Sequence, residues 1–299
     1  MATLEDLSRQ IGAAEDLQSV VGTMKAISVA GMRTHEGAER AMTSYLATIE
    51  AGLQVVLRAM TDVTPHAASR AHELTGVVIV GSEIGLCGAF NERLVEHARE
   101  ELSTLHVEPD RRLVLVIGTR AAASWSAETA PPDVVEDAPA TVEALADTVA
   151  SVITRLDEWR DSRGVSRFVL FHQRPADGTG AVPSTINLWP IAPDWLAALA
   201  AQPWTSRRLP QCGGPPQLLF RKLIRQLLFA RVYTAVIQSR AAEHAERLAA
   251  MQAADRSIAD KLDDLRIRYR QRRQDVITAE LLDLVAGFEA ATGGAARNR

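Results

Sequence analysis

A glycine-rich loop at residues 81–88 is the first place in the sequence where nucleotide chemistry could occur. The loop, Gly81-Ser-Glu-Ile-Gly-Leu-Cys-Gly88, follows a short β-rich run and has the spacing GxxxGxxG. Dinucleotide-binding loops have the spacing GxGxxG, and phosphate-binding loops end in Gly-Lys-Ser or Gly-Lys-Thr, whose lysine reaches the phosphates. Because this loop has neither feature, its spacing favours a structural turn from a strand to a helix.

Two side chains of this loop, Ser82 and Cys87, are nucleophiles in principle. Neither lies in a GxSxG motif, and no histidine near them in sequence suggests an activating partner. The seven histidines are scattered without an HExxH motif, and the two cysteines, Cys87 and Cys212, are far apart. We therefore expect no catalytic residue, no cofactor and no metal site, and we interpret Cys87 as a small buried side chain.

Two rows of arginines near the C-terminus could bind an acidic partner. At helical spacing, one row contains Arg266, Arg270 and Arg273, and the other contains Arg268 and Arg272. One interpretation is a solvated face that pairs with the acidic residues just before it. The other is a cationic collar that contacts acidic loops of a surrounding protein, where charge would set orientation and association rate.

Composition places these residues in an ordinary folded chain. It has 299 residues, of which 47% are hydrophobic, and a formal net charge of −4. This balance gives no basic bias towards nucleic acid. The acidic N-terminus does not resemble a secretory signal, and no window of about 18 uninterrupted apolar residues predicts a membrane span.

The arginine rows belong to a stretch, Pro216 to Gly287, that contains no proline after Pro216 and no glycine before Gly287. As one helix, its roughly 70 residues would measure about 105 Å. Residues from Leu4 to about Met60 also have helical periodicity, although a break near Gly37 is an alternative interpretation. The simplest way to bury both apolar stripes is to pair the two helices antiparallel.

Between the long helices, the sequence has the pattern of an α/β domain. Three β-rich runs, at residues 76–81, 112–118 and 167–172, are separated by helical patterns at 91–105, 120–127 and 142–163. We also expect an edge strand at 184–189, a loop at 131–139 and an irregular connector at 191–216. The predicted fold class is α/β, with a long antiparallel coiled coil of residues 1–62 and 216–290 and an inserted Rossmann-like α/β domain at 74–202.

Three segments resemble the gamma subunit family of F-type ATP synthases, and the resemblance covers nearly the whole chain. Met24-Lys25 with Ile27 to Arg33 is similar to the family's AMKMVAAAKLR, and Gly85-Leu-Cys-Gly88 with Asn91 is similar to SDRGLCGGLN. The family's closing signature is matched by Glu243-His-Ala-Glu-Arg-Leu-Ala-Ala-Met251, Ala253-Ala254, Tyr269, Arg273-Gln274, Ile277-Thr-Ala-Glu280, Asp283 and Gly287. This last match is the most specific, because many positions keep their order and spacing.

The chain also departs from the family pattern. Gly31 stands where the family usually has lysine, and Ser82-Glu-Ile84 replaces Ser-Asp-Arg. Phe288 replaces a small residue, and Val20-Val-Gly-Thr23 replaces Lys-Ile-Thr-Lys. These departures suggest a divergent member, of an accessory rather than a housekeeping complex.

The resemblance implies a non-catalytic rotor shaft that couples ion flow through a membrane c ring to conformational change in catalytic beta subunits. The implied partners are the alpha and beta subunits, the epsilon subunit and the c ring, with no nucleic acid and no membrane span of its own. The implied location is peripheral, on the cytoplasmic side of a bacterial inner membrane. Two other hypotheses stay open: a nucleotide-binding α/β enzyme with helical arms, and a coiled-coil scaffold.

The resemblance also implies contacts to the beta subunit. It places them at Arg273, Gln274 and Glu280, with Met24 and Lys25 opposite on the N-terminal helix. Helical spacing adds Arg266 and Arg270 to this set.

Overall fold

The computed structural model describes residues 3–60, 74–176, 180–204 and 210–296, without the side chains of residues 287–296. Its helices are α1 (Leu4–Ala59), α2 (Phe90–Thr104), α3 (Thr119–Glu128), α4 (Val142–Arg163), α5 (Pro193–Ala201) and α6 (Pro216–Ala296). Its strands are β1 (Thr75–Val80), β2 (Arg112–Ile117), β3 (Val134–Glu136), β4 (Arg167–Pro175) and β5 (Ala181–Trp189). The chain forms two compact units: unit 1 is Met1–Ala26 with Met251–Arg299, and unit 2 is Ile27–Ala250.

Unit 2 contains a five-stranded sheet with the strand order β3-β2-β1-β4-β5. β1 pairs in parallel with β2 and β4, β3 pairs in parallel with β2, and β5 is an antiparallel edge strand. Every residue of β1 is buried. Its unbroken apolar run fits this position, because the central strands of a parallel sheet are covered on both faces.

Helices cover the two faces of the sheet and complete its core. On one face, Leu94 of α2 and Trp125 of α3 join the buried cluster of Val77 and Ile79. On the other face, α4 and α6 form a buried cluster with the sheet, and Val232, Ala235, Val236 and Ile237 of α6 are fully buried there. A segment of the C-terminal helix is therefore part of the core of the α/β domain.

Within unit 2, α1 and α6 pack antiparallel. Tyr45 Oη donates a hydrogen bond to Gln226 Oε1 (2.6 Å), and Gln238 Nε2 donates to Glu39 Oε1 (2.8 Å). Residue numbers fall along α1 as they rise along α6, which defines the direction of the pair. The predicted α/β fold with two long antiparallel terminal helices is confirmed.

The alternative of a break near Gly37 is wrong, because α1 is continuous from Leu4 to Ala59. A glycine weakens a helix by about 1 kcal/mol relative to alanine, and packing along α1 outweighs that cost. The last two residues of the predicted coiled-coil segment 1–62 lie outside the described residues. At the other end of the chain, α6 runs through Gly287 to Ala296.

Two short elements were missed by the sequence analysis. β3 lies in the predicted loop at 131–139 and pairs only with Leu115, Val116 and Ile117 of β2, so it is too short to show periodicity. α5 lies in the predicted irregular connector. Its only proline is Pro193, in the first turn, where a missing N–H costs nothing.

Candidate partner interface

The glycine-rich loop between β1 and α2 is tied to the first turn of α2 by hydrogen bonds between Ser82 and Asn91. Ser82 is fully buried; its N–H donates to Asn91 Oδ1 (3.0 Å), and its Oγ accepts from Asn91 Nδ2 (2.8 Å). Cys87 is also buried, and burial raises the pKa of its thiol. A thiol with a raised pKa is a poor nucleophile at neutral pH, so both residues fit structural roles.

Glu83 fastens this loop to the start of α3. Its carboxylate accepts hydrogen bonds from the N–H groups of Thr119 and Ala138 (both 3.1 Å) and from Thr119 Oγ1 (2.6 Å). Burial acts to raise the pKa of Glu83, but these hydrogen bonds outweigh it and hold the pKa below its usual range. A negative charge at a helix N-terminus is also favoured by the helix dipole.

α6 holds the same loop from the other side. Arg247 donates a hydrogen bond to the backbone oxygen of Ile84 (3.0 Å). Arg247 also pairs with Glu243, which is 1% exposed and forms a second ion pair with Arg240 (2.5 Å). Removing one of Arg240, Glu243 and Arg247 would leave a buried charge unpaired. These three side chains therefore hold α6 in one position against the loop. The backbone of the glycine-rich loop is thus held by hydrogen bonds to the start of α3 on one side and to α6 on the other.

Unit 1 consists of the start of α1 and the end of α6, joined by ion pairs that the sequence analysis did not predict. Lys25 Nζ lies 2.7 Å from Asp255 Oδ2, and Gln18 Nε2 donates to the other oxygen of Asp255 (3.3 Å). Hydrogen bonds from Lys25 and Gln18 hold the pKa of Asp255 below its usual range. Arg266 pairs with Glu15 (2.7 Å), so the two segments of unit 1 are antiparallel.

This register corrects one predicted arrangement. Lys25 contacts Asp255, which precedes Arg273 by about 27 Å along α6 at 1.5 Å per residue. Met24 and Lys25 therefore do not lie opposite Arg273 and Gln274. Sequence alone could not reveal this, because helical periodicity identifies the buried stripe of each helix but not the offset between two stripes.

The predicted contact residues of α6 divide into two groups. Arg266 pairs with Glu15 of α1, whereas Arg268 pairs with Asp264 just before it, as in the self-paired interpretation of the arginine rows. Arg270, Arg273, Gln274 and Glu280 are exposed. Among the described residues, neither Arg270 nor Arg273 forms an ion pair. Two cations at helical spacing are therefore available to an acidic partner.

An apolar stripe follows these cations on α6. The large side chains that are 46–70% exposed there are Ile277, Leu281, Leu282, Leu284 and Val285. On the α1 segment of unit 1, Leu17 and Val20 are also more than half exposed. A contiguous exposed apolar surface next to cations is typical of a protein–protein interface.

Metal-binding clusters and membrane-spanning helices are both absent from the described part of the chain. Residues 3–60, 74–176, 180–204 and 210–296 contain no cluster of three His, Cys, Asp or Glu side chains that could hold a metal ion. Across the same ranges, no helix has an apolar stretch long enough to cross a membrane.

Comparison with known proteins identifies relatives over nearly the whole chain. A family model described as ATP synthase matches residues 3–291. The ATP synthase gamma chain of Moorella thermoacetica is 27% identical over 305 residues, an alignment that covers 97% of this chain and 99% of the relative.

Solved structures with a similar fold include chains of two mitochondrial ATP synthases. A chain of the Euglena gracilis rotor in rotational state 1 has a TM-score of 0.64 and 14% identity, covering 92% of this chain and 98% of that one. A chain of the Euglena OSCP/F1/c-ring structure in rotational state 3 has a TM-score of 0.67 and 16% identity, covering 97% of this chain and 95% of that one. A chain of the Tetrahymena thermophila central stalk and c-ring has a TM-score of 0.53 and 17% identity, covering 79% of this chain and 99% of that one.

Proposed function

The chain belongs to the ATP synthase gamma family, and from this premise we propose that it is the central rotor-shaft subunit of a rotary ATP synthase. In this role it couples ion flow through a membrane c ring to conformational change in catalytic beta subunits. The observation that carries the proposal is the antiparallel pairing of the two chain ends in unit 1, with cations and an apolar stripe left exposed on α6.

A shaft of this kind acts by binding unequally to different conformations of its partners. Only a difference in affinity between conformations can shift their populations. An asymmetric pair of helices presents a different surface to each surrounding subunit, and rotation changes which subunit meets which surface. The α6 surface, with Arg270 and Arg273 followed by an apolar stripe, is suited to that task.

We propose that the chain has no catalytic site of its own and that ATP chemistry takes place on the beta subunits. The burial and hydrogen bonding of Ser82 support this, as does the raised thiol pKa of Cys87. The hydrogen-bonded loop geometry also weighs against the enzyme hypothesis.

The proposed contacts to the beta subunit are Arg273, Gln274 and Glu280, with Arg270 as an additional cation. Their exposure leaves them accessible to acidic loops, and such contacts set orientation and association rate more than affinity. Arg266 and Lys25 are already paired within unit 1, to Glu15 and Asp255. Any contact that these two residues make to the beta subunit is therefore secondary to their place in the helix pair, and Met24 stays a proposed contact.

The wider set of proposed partners follows from the family: alpha and beta subunits, the epsilon subunit and the c ring. The proposed location is peripheral, on the cytoplasmic side of a bacterial inner membrane. The related Euglena and Tetrahymena chains come from rotor, F1 and c-ring assemblies, which supports a peripheral place in a complex of this kind.

Co-purification from native membranes tests the proposal. A rotor-shaft subunit brings down alpha and beta subunits in a complex that hydrolyses ATP. A generic coiled-coil scaffold would not bring down these subunits. An enzyme would bind nucleotide stoichiometrically and turn it over as an isolated chain, and that result would contradict the proposal.

A further inference from the structure

We infer that Glu246 is a positioning residue that fixes the rotation of α6 relative to the sheet domain of unit 2. Its carboxylate binds groups on two other elements at once. Oε1 accepts a hydrogen bond from the backbone N–H of Ala181 at the start of β5 (2.8 Å), and it pairs with the guanidinium of Arg93 on α2. One side chain therefore ties α6 to both β5 and α2.

The position of Glu246 makes these contacts strong. Its side chain is 13% exposed, whereas that of Arg93 is 43% exposed. Hydrogen bonds to an ionised group are roughly twice as strong as neutral ones, and salt screens a partly buried carboxylate less than a fully exposed one. A β-carbon at Gly180 would lie 3.3 Å from Oε1 of Glu246, so the backbone before β5 approaches the carboxylate closely.

Directional contacts add to the resistance that the apolar core offers to rotation of α6. The buried side chains of α6 that pack on the sheet, such as Val232 and Val236, resist separation of the helix from the sheet. Hydrophobic contact is non-directional, so it opposes twisting of the helix about its own axis less strongly. Hydrogen bonds weaken steeply with angle, and two of them from different elements oppose such twisting.

Other polar contacts hold the same face of α6. Ser239 Oγ donates to the backbone oxygen of Val80 (2.7 Å), and Arg247 donates to that of Ile84 (3.0 Å). Ser239 and Arg247 therefore hold α6 to the end of β1 and to the loop after it. Among the residues described above, only Glu246 holds α6 to β5 and α2, on a different part of the domain.

This inference rests on the proposed function for its consequence. In a rotor, torque passes between α6 and the sheet domain, and a joint that twists under load stores work instead of transmitting it. Glu246 would therefore support coupling under load without contacting nucleotide or a beta subunit.

The first test uses the isolated full chain and does not depend on assembly. In Glu246→Ala, amide hydrogen exchange at Ala181 should be about tenfold faster, because that N–H loses its acceptor. Arg93→Ala should accelerate it less, since Glu246 still accepts from Ala181. The matched control is Arg99→Ala, which breaks the exposed ion pair of α2 with Glu128 of α3 and does not involve α6. Unchanged exchange at Ala181 in Glu246→Ala would overturn the inference.

The second test uses the assembled complex in membrane vesicles, with the ratio of ATP-driven ion pumping to ATP hydrolysis as readout. Glu246→Ala and Arg93→Ala should lower this ratio at least twofold, and Glu246→Gln, which keeps an acceptor for Ala181, should restore part of the loss. Arg99→Ala should leave it unchanged. A normal ratio in assembled Glu246→Ala would contradict the inference, and if that variant does not assemble, Arg93→Ala decides in the same way. Failure of the wild-type chain to join alpha and beta subunits would instead contradict the proposed function.

Discussion

Gly31 and His244 share one space between α1 and α6 in unit 2. A β-carbon built on Gly31 would lie 2.6 Å from Cε1 of His244, closer than non-bonded atoms can approach. The imidazole is 7% exposed and fills the gap that the missing side chain leaves. Any side chain at position 31, where the family pattern has lysine, would therefore require the His244 ring to move.

Substitution of Gly31 tests this relationship. For Gly31→Ala we expect the free energy of unfolding to fall by about 1–2 kcal/mol, since an overpacking cost of about 1–3 kcal/mol outweighs the gain in helix propensity of up to about 1 kcal/mol. Gly37 is the matched control, because a β-carbon there meets nothing within 4 Å. Urea unfolding of Gly37→Ala should show a small stabilisation. If Gly31→Ala behaves like Gly37→Ala, or if His244→Ala does not relieve the loss, the shared space is not the cause.

The pH dependence of stability offers a second prediction. Burial, followed by the charge of Arg240, lowers the pKa of His244 to about 3, and burial also lowers the pKa of His35, whose ring centroid lies 5.4 Å away. Arg247 also faces His244, and Arg240 and Glu243 face His35. Because the unfolded chain takes up these protons near pH 6.5 and the folded chain does not, stability should fall as pH drops from about 6.5 towards 3.

Acid titration of the unfolding free energy measures this effect. Each histidine contributes a slope of at most about 1.4 kcal/mol per pH unit. His244→Gln should flatten the slope between pH 6 and pH 4. A slope that is identical in wild type and His244→Gln would contradict the assignment.

Arg273→Ala and Gln274→Ala should impair coupled ATP synthesis or hydrolysis while the complex still assembles. We expect a loss of about tenfold for Arg273→Ala, equivalent to about 1.4 kcal/mol of lost interaction. Arg268→Ala is the control, since Arg268 pairs with Asp264 on its own helix (3.0 Å). Activity that is unchanged in Arg273→Ala, measured on complexes of normal composition, would argue against a contact at this position.

The two cysteines should differ in reactivity. Cys87 is buried with a raised thiol pKa, whereas Cys212 is half-buried. At pH 7 we expect a maleimide to label Cys212 at least about tenfold faster, because the thiolate is the reactive species and access is required. Mass spectrometry of the folded chain measures both rates, and labelling under denaturing conditions should remove the difference. Rapid modification of Cys87 in the folded chain would reopen the nucleophile interpretation.

The sequence predicted elements whose signals are local and repeated. The periodicity of α1 and α6 extends over many turns, and the apolar runs of β1, β2 and β4 have no competing interpretation. β3 has three residues and depends on pairing with β2, so nothing local distinguishes it from a loop. α5 was hidden by flanking prolines, which mark the ends of a helix as well as irregular segments.

The candidate interface was predicted less completely than the fold. Helical spacing grouped Arg266, Arg270 and Arg273, but it could not show that Arg266 is paired with Glu15. The offset between α1 and α6, which brings Lys25 to Asp255, depends on contacts between residues far apart in sequence. The same is true of Glu246, whose partners lie on α2 and β5.

Rotation of this chain within its complex is the most direct test of the account. With alpha and beta subunits fixed to a surface and a probe attached to an introduced cysteine in the sheet domain, ATP should drive rotation in one direction, with pauses that match the catalytic subunits. A complex that hydrolyses ATP while the labelled chain stays still would contradict the proposed role.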